Sequence, residues 1–274
     1  MTDIDLTQLT ERQRRETEYH REHAERHQDL LTQAFSWDVL DRPTRRWWNA
    51  YWQMYAFLAG CNLKGKKILV VGCGFGDDAL RLAKLGADVS AFDLSEESLL
   101  IARQLADREH LSIRFDQMPA ETLGYGDNSF DFILARDIMH HVDITNTMQE
   151  LVRVAKPNAL FVMNEIYSHS ITDRIRHSTL VSSVIYPCMK NFIYGVRTPY
   201  ITEDERKLSE HDLATITKSL GAPEMKKLFN FLVTRLIPDK FDHFNKLDRV
   251  LLIVLRPIAK FLAGRVLFAA RILK

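Results

Sequence analysis

Three glycines in five residues, Gly72-Cys73-Gly74-Phe75-Gly76, are followed 17 positions after the last of them by Asp93. Glycine at this density lets a chain turn sharply and brings backbone amides close to a ligand. A carboxylate closing the next strand can accept hydrogen bonds from both hydroxyls of a ribose. Together the two features point to a cofactor that carries adenosine. A glycine loop alone serves nucleotide binders of several kinds. The dinucleotide pattern G-x-G-x-x-G would need glycine at 77, where Asp77 stands, so the spacing here is the compact G-x-G-x-G.

A second group could move protons. Arg136, Asp137, His140 and His141 follow an apolar run, and Glu165 and Tyr167 close another. Histidine titrates near neutrality and can act as a base. The plainer reading of the His-His-Val step is packing or capping at a helix start. For Glu165 it is a pair with Arg136 or Arg174.

These residues need a scaffold that brings them to one edge. Lys67 to Val71 is a short apolar run, hence a buried strand, and 88–92, 111–115, 130–135 and 160–165 read the same way. Helices are expected over 78–85, 95–107 and 143–155, the second capped by Ser95 with Glu96 and Glu97 in its first turn. Strands alternating with helices imply βαβ units and a parallel sheet covered on both faces. Right-handed crossovers then put every strand's carboxyl end on the same edge. The expected fold is α/β: a Rossmann-like doubly wound sheet of about seven strands, mostly parallel, with an N-terminal helical cap (1–62) and an inserted helical segment (about 168–208). Residues 10–35 read as a charged helix. A further helix after Pro43 carries Trp47, Trp48, Tyr51, Trp52 and Tyr55 on one face. That stripe suits core packing, the wall of an acceptor pocket or a membrane interface. Later, a helix runs from about Leu208 to Gly221, and a sixth strand from Met225 to Leu232.

Over roughly residues 64–166 the chain resembles the class I S-adenosylmethionine (SAM)-dependent methyltransferases. The matching pieces are Ile68 to Gly76, Ala91-Phe92-Asp93-Leu94-Ser95, Asp127 to Asp131, Met139-His140-His141-Val142 and Arg153 to Asn158. The resemblance implies SAM as cofactor, held by Gly72, Cys73, Gly74, Gly76, Asp93 and Leu94. It lays Pro119, Ala120 and Glu121 along the adenine, and folds the N-terminal helix over the cofactor as a lid. Tyr19 on that helix could touch the methionine end, with His20 and His23 nearby. The chain departs from the family at three places. Val70 stands where an acidic residue is usual, Pro119 where an aspartate is common, and Asn158 where a glycine turns. Methyl transfer needs the acceptor atom positioned and, for a hydroxyl or ring carbon, a proton removed. His140, His141, Arg136, Asp137 and Glu165 are the candidates for that work.

Composition narrows the partners. With 37 basic against 36 acidic residues, the net charge of +1 argues against a broad nucleic-acid surface. Cys61, Cys73 and Cys188 form no ligand-spaced pair, so neither a metal site nor a disulfide framework is expected. The polar N-terminus and the lack of a long apolar run suggest a cytoplasmic protein. Residues 246–274 hold seven basic residues against the single acidic Asp248. They form either a basic amphipathic helix on an anionic membrane surface, or a helix near 246–262 followed by a last antiparallel strand. The expected activity is methyl transfer to a small hydrophobic acceptor (a phenol, quinone precursor or lipid-like metabolite), with oxygen slightly preferred. The alternatives are transfer of a non-methyl group to a quinone, or a non-catalytic, membrane-associated SAM-binding protein.

Overall fold

The computed structural model describes residues 10–194, 206–233, 237, 238 and 240–274. The strands are β1 (Lys67–Val71), β2 (Asp88–Asp93), β3 (Ile113–Gln117), β4 (Phe130–Arg136), β5 (Ala155–Ile166), β6 (Leu220–Phe229) and β7 (Arg265–Ile272). They form one sheet in the order β3-β2-β1-β4-β5-β7-β6, with β7 antiparallel to both its neighbours and the remaining pairs parallel. The expected seven-stranded, mostly parallel sheet is therefore present. Chain order reverses between β1 and β4, which lie side by side, and the carboxyl ends of those two strands deliver Gly72 and Arg136 to one crevice.

The helices are α1 (Glu11–Arg26), α2 (Asp38–Asp41), α3 (Ala50–Ala59), α4 (Asp77–Lys84), α5 (Glu96–Arg108), α6 (Ile144–Val154), α7 (Ser170–Arg176), α8 (Tyr186–Tyr194), α9 (Glu210–Thr217), α10 (Asp242–Val254) and α11 (Ala259–Leu262). Both sheet faces are covered, and β1 alternates between the two apolar layers. Leu69 and Val71 join Phe92, Ile133 and Leu151 on one side; Ile68 and Val70 join Met54, Tyr55 and Leu58 of α3 on the other. Val70 is thus an ordinary core residue facing α3.

Local chemistry sets the element ends. Ser95 and Asp143 cap α5 and α6 by accepting from the amides of Ser98 and Asn146. Asn158 takes φ 63° in the turn inside β5, a conformation asparagine tolerates. Several expected boundaries shift. The helical reading of 10–35 stops at Arg26 and continues as a 3₁₀ turn, Gln28–Leu31. The helix expected to reach Gly221 ends at Thr217, because β6 starts at Leu220. Residues 138–142 form a turn rather than a helix start, since α6 is capped only at Asp143.

The C-terminal segment follows the second alternative, a helix and then a last antiparallel strand. An amphipathic helix, α10, ends at Val254 before Pro257, and β7 follows. Arg271 and Lys274 do not share the helix face. Arg271 pairs with Glu224 at 2.6 Å, and Lys274 binds Asn128 and the carbonyls of Arg153 and Ala155. Of the helical insertion at 168–208, residues 195–205 lie outside the described residues. Its base is pinned where Tyr167 bridges Leu208 and the Ser168 amide donates to the Leu208 carbonyl at 2.9 Å. Among the described residues no helix is long and apolar enough to cross a membrane.

Candidate active site

At the carboxyl edge of β1, β2 and β4 lies a cavity of about 550 Å³. One wall is the glycine loop. Gly72 and Gly76 have φ of 59° and 84°, and a Cβ on either would strike Ile138 at 2.5 Å or Ala102 at 2.9 Å. Gly74, at φ 51°, faces open space, leaving its backbone accessible to a ligand. Gly72, Cys73 and Gly74 line the cavity; Gly76 does not, and instead stands at the N-cap of α4. Burial, reinforced by Asp93, pushes the Cys73 thiol well above its ordinary range, so it stays protonated and is no nucleophile.

Asp93 is 8% exposed and accepts one backbone N–H on each oxygen, from Gly74 at 2.8 Å and Ser95 at 3.0 Å. A carboxylate has about four acceptor positions, so two remain for ribose hydroxyls. Phe92, Leu94, Met118, Pro119 and Ala120 continue this side as an apolar slot fit for adenine. Glu121 joins them with its carboxylate engaged by Gln13 at 3.0 Å and the Asp143 amide at 2.9 Å.

The opposite wall is the turn after β4. Glu165 is fully buried, and its Oε1 accepts from the amides of Ile138 at 2.6 Å and Met139 at 2.7 Å. Its Oε2 lies 2.8 Å from Nδ1 of His140, which is 4% exposed and lines the cavity. A carboxylate only accepts, so the imidazole donates from Nδ1 and Nε2 carries the lone pair. Glu165 itself does not line the cavity, and it pairs with neither Arg136 nor Arg174. Arg136 turns instead to Asp78 at 2.6 Å, which also accepts from the Tyr55 hydroxyl at 2.6 Å. Burial works against the Arg136 charge, but Asp78, Asp137 and Tyr51 outweigh it and hold the guanidinium charged. Asp137, at φ 53°, lies 2.7 Å from Arg265 and 3.5 Å from Arg136.

Helix α1 closes the top. Arg12 donates to the His140 carbonyl at 2.8 Å, and Glu16 lies 3.1 Å from Nδ1 of His141. Burial acts to raise the Glu16 carboxyl, yet the bond and charge of His141, with His20 and Arg12, hold it below the usual range. His23 stacks on Phe75 with ring centres 5.4 Å apart, and burial, with the neighbouring His27 and His20, pushes it down to about 4. Glu16, His20 and His23 line the cavity; Tyr19 does not, and its ring stacks on His23 at 6.1 Å. The aromatic stripe supplies no wall of this cavity: Trp52 and Tyr55 are core, Tyr51 lies 5.2 Å from the Arg136 guanidinium, and Trp47 and Trp48 precede α3. Among the described residues no group of three or more His, Cys, Asp or Glu side chains could hold a metal ion.

Sequence reasoning did not single out Gln13, Glu16, Ile166 or Arg265 for the cavity. Glu16 looked like one of many exposed charges on α1, and Arg265 like one of seven basic residues in the tail. Only the tertiary packing of α1 and β7 distinguishes them.

A family model described as a methyltransferase domain matches residues 69–163. Over those residues the chain is similar to the class I SAM-dependent methyltransferases. The ubiquinone biosynthesis O-methyltransferase of Sinorhizobium fredii is 32% identical over 105 residues, which are 38% of this chain and 42% of the relative. Methyltransferase GfsG of Streptomyces halstedii is 37% identical over 115 residues, 40% and 41% of the two chains. The matched part thus spans about two fifths of these curated relatives. The magnesium protoporphyrin IX methyltransferase of Synechocystis PCC 6803, solved with bound SAH, shares the fold at a TM-score of 0.56 and 14% identity. That alignment covers 95% of this chain and 99% of the other. SAM is the cofactor of this superfamily, and the residues present fit it. Gly74 leaves a backbone cradle, Asp93 has acceptor capacity to spare, and Glu16, which lines the same cavity, has its Oε2 buried without a hydrogen-bond partner.

Glu165→Gln tests how the turn is held. The amide can still accept from Ile138 and Met139, but its NH2 then faces His140 Nδ1. We expect the imidazole to change tautomer, visible as a proton on Nε2 in ¹⁵N spectra, with stability lower by about 1 kcal/mol. An Nδ1-protonated ring in the variant would contradict this assignment.

Proposed function

We propose that this methyltransferase modifies a hydroxyl of a small hydrophobic acceptor, a phenol, quinone precursor or lipid-like metabolite. The observation that carries the reading is the Glu165–His140 dyad at the rim of the cofactor cavity. Bound in the cavity, SAM supplies an electrophilic methyl group. Gly72, Cys73 and Gly74 hold it through the loop backbone, Asp93 through its carboxylate, and Leu94, Pro119, Ala120 and Glu121 along the adenine. His140 Nε2 takes the acceptor's hydroxyl proton as the oxygen becomes nucleophilic. Glu165 is the positioning residue: it fixes the tautomer and favours the imidazolium that results. Arg136, Asp137 and His141 orient the acceptor, and helix α1 of the cap covers it. Part of the sequence similarity is to ubiquinone O-methyltransferases, which supports an oxygen acceptor of the quinone-precursor kind.

The same reading includes contact with an anionic membrane, from which an apolar acceptor would be drawn. Leu247, Val250 and Val254 stand on the outward face of α10, flanked by Phe244 and Ile253, and all five are exposed, Val254 by 70%. Arg256 and Lys260, also exposed, follow directly. Helix α11 carries the surface towards α7, where Phe261 packs on His169 at 4.5 Å and Ile171 and Ile175 lie exposed. An apolar ridge beside lysine and arginine suits the interface of an anionic bilayer.

Two measurements test these statements. With labelled SAM and a panel of alkylated catechols, His140→Asn keeps a donor for Glu165 but has no ring nitrogen. Its kcat is expected to fall about 10²- to 10⁴-fold while SAM affinity stays within about twofold. Undiminished kcat would remove the base from His140. In sedimentation with phosphatidylglycerol vesicles, a Val250→Glu/Val254→Glu variant should lose most of the bound fraction. Equal partitioning of variant and parent would rule out this face.

A further inference from the structure

Five carboxylates line the cavity: Glu16, Asp77, Asp93, Glu121 and Asp137. Four are already engaged. Asp77 pairs with Arg81 at 3.2 Å, Asp93 holds two amides, Glu121 holds Gln13 and an amide, and Asp137 lies between Arg136 and Arg265. Glu16 is different. It is 7% exposed, and while Oε1 meets His141, Oε2 is buried with no hydrogen-bond partner; the imidazole of His20 lies 3.7 Å away. A buried carboxylate oxygen without a donor is costly to leave unmet, and a ligand cation would supply the missing contact. β1 cannot serve instead, because Val70 faces the apolar layer under α3.

We propose that Glu16 is the carboxylate that receives the cationic methionine end of the cofactor, and that this contact adds to those that hold α1 over the cavity. Helix α1 is suited to that coupling. It is tied to the cavity rim by Arg12 on the His140 carbonyl and Gln13 on Glu121, and Ala24 beds it against Ile101 and Leu105 of α5. A ligand cation on Glu16 adds a strong, charge-assisted contact to the same helix. SAM offers two cations, the α-ammonium and the sulfonium. SAH keeps the ammonium and has lost the sulfonium charge. A carboxylate reading the sulfonium would favour substrate cofactor over product; one reading the ammonium would hold both alike.

The inference rests on SAM being the ligand of this cavity. Titration calorimetry of the full chain with SAM and with SAH separates the possibilities, using the parent, Glu16→Gln, Glu16→Asp and Asp93→Ala. Glu16→Gln is expected to weaken SAM at least tenfold, with Glu16→Asp recovering part of the loss and the ligand-free melting temperature little changed. Equal weakening of SAH assigns the ammonium; an effect on SAM alone assigns the sulfonium. Undisturbed binding of both ligands to Glu16→Gln, with Asp93→Ala abolishing it, overturns the Glu16 assignment and leaves the cofactor reading intact. Failure of the parent to bind either ligand would sink the cofactor reading and this inference with it.

Discussion

The turn that follows β4 hangs from one fully buried carboxylate. Glu165 sits inside the sheet edge and takes the amides of Ile138 and Met139 together with the His140 ring. Without that acceptor, three donors would be buried unsatisfied beside the cavity. The turn in turn supports what lies around it. Ile138 fills the space that glycine leaves at position 72, and the His140 carbonyl receives Arg12 of the closing helix. A charge placed for folding thus also fixes the His140 ring at the cavity.

The opposite side is organised by a similar economy. Asp93 ties the glycine loop to the start of α5 through two amides, so the loop is held before any ligand arrives. Pre-ordering lowers the conformational cost of binding. The two carboxylates stand at the ends of β2 and β5, on either side of the point where chain order reverses, the place where open α/β sheets receive ligands.

Much of this was legible in the sequence because it depends on local rules. The glycines, Asp93 and the apolar runs of β1, β2 and β4 announce themselves by type and spacing, as does the Ser95 cap. What stayed hidden depends on long-range packing. Nothing in a helix crowded with Arg14, Arg15, Glu18 and Arg21 marks Glu16 as the residue that turns inward. The aromatic stripe from Trp47 to Tyr55 left several readings open for the same reason: spacing gives a face but not what it meets, and of those readings Tyr55 follows core packing, meeting Asp78 and the core. In the C-terminal segment the helix stops short of Pro257 and β5 pairs with the strand that follows, as the second alternative for 246–274 has it.

The central claim is that SAM lies in this cavity with its transferable methyl next to His140. The most direct measurement is the nuclear Overhauser effect from methyl-¹³C-labelled SAM in complex with the selectively histidine-labelled chain. The account predicts cross-peaks from that methyl to the His140 ring protons. Cross-peaks from the methyl to another histidine with none to His140, in a complex that still forms, would contradict it.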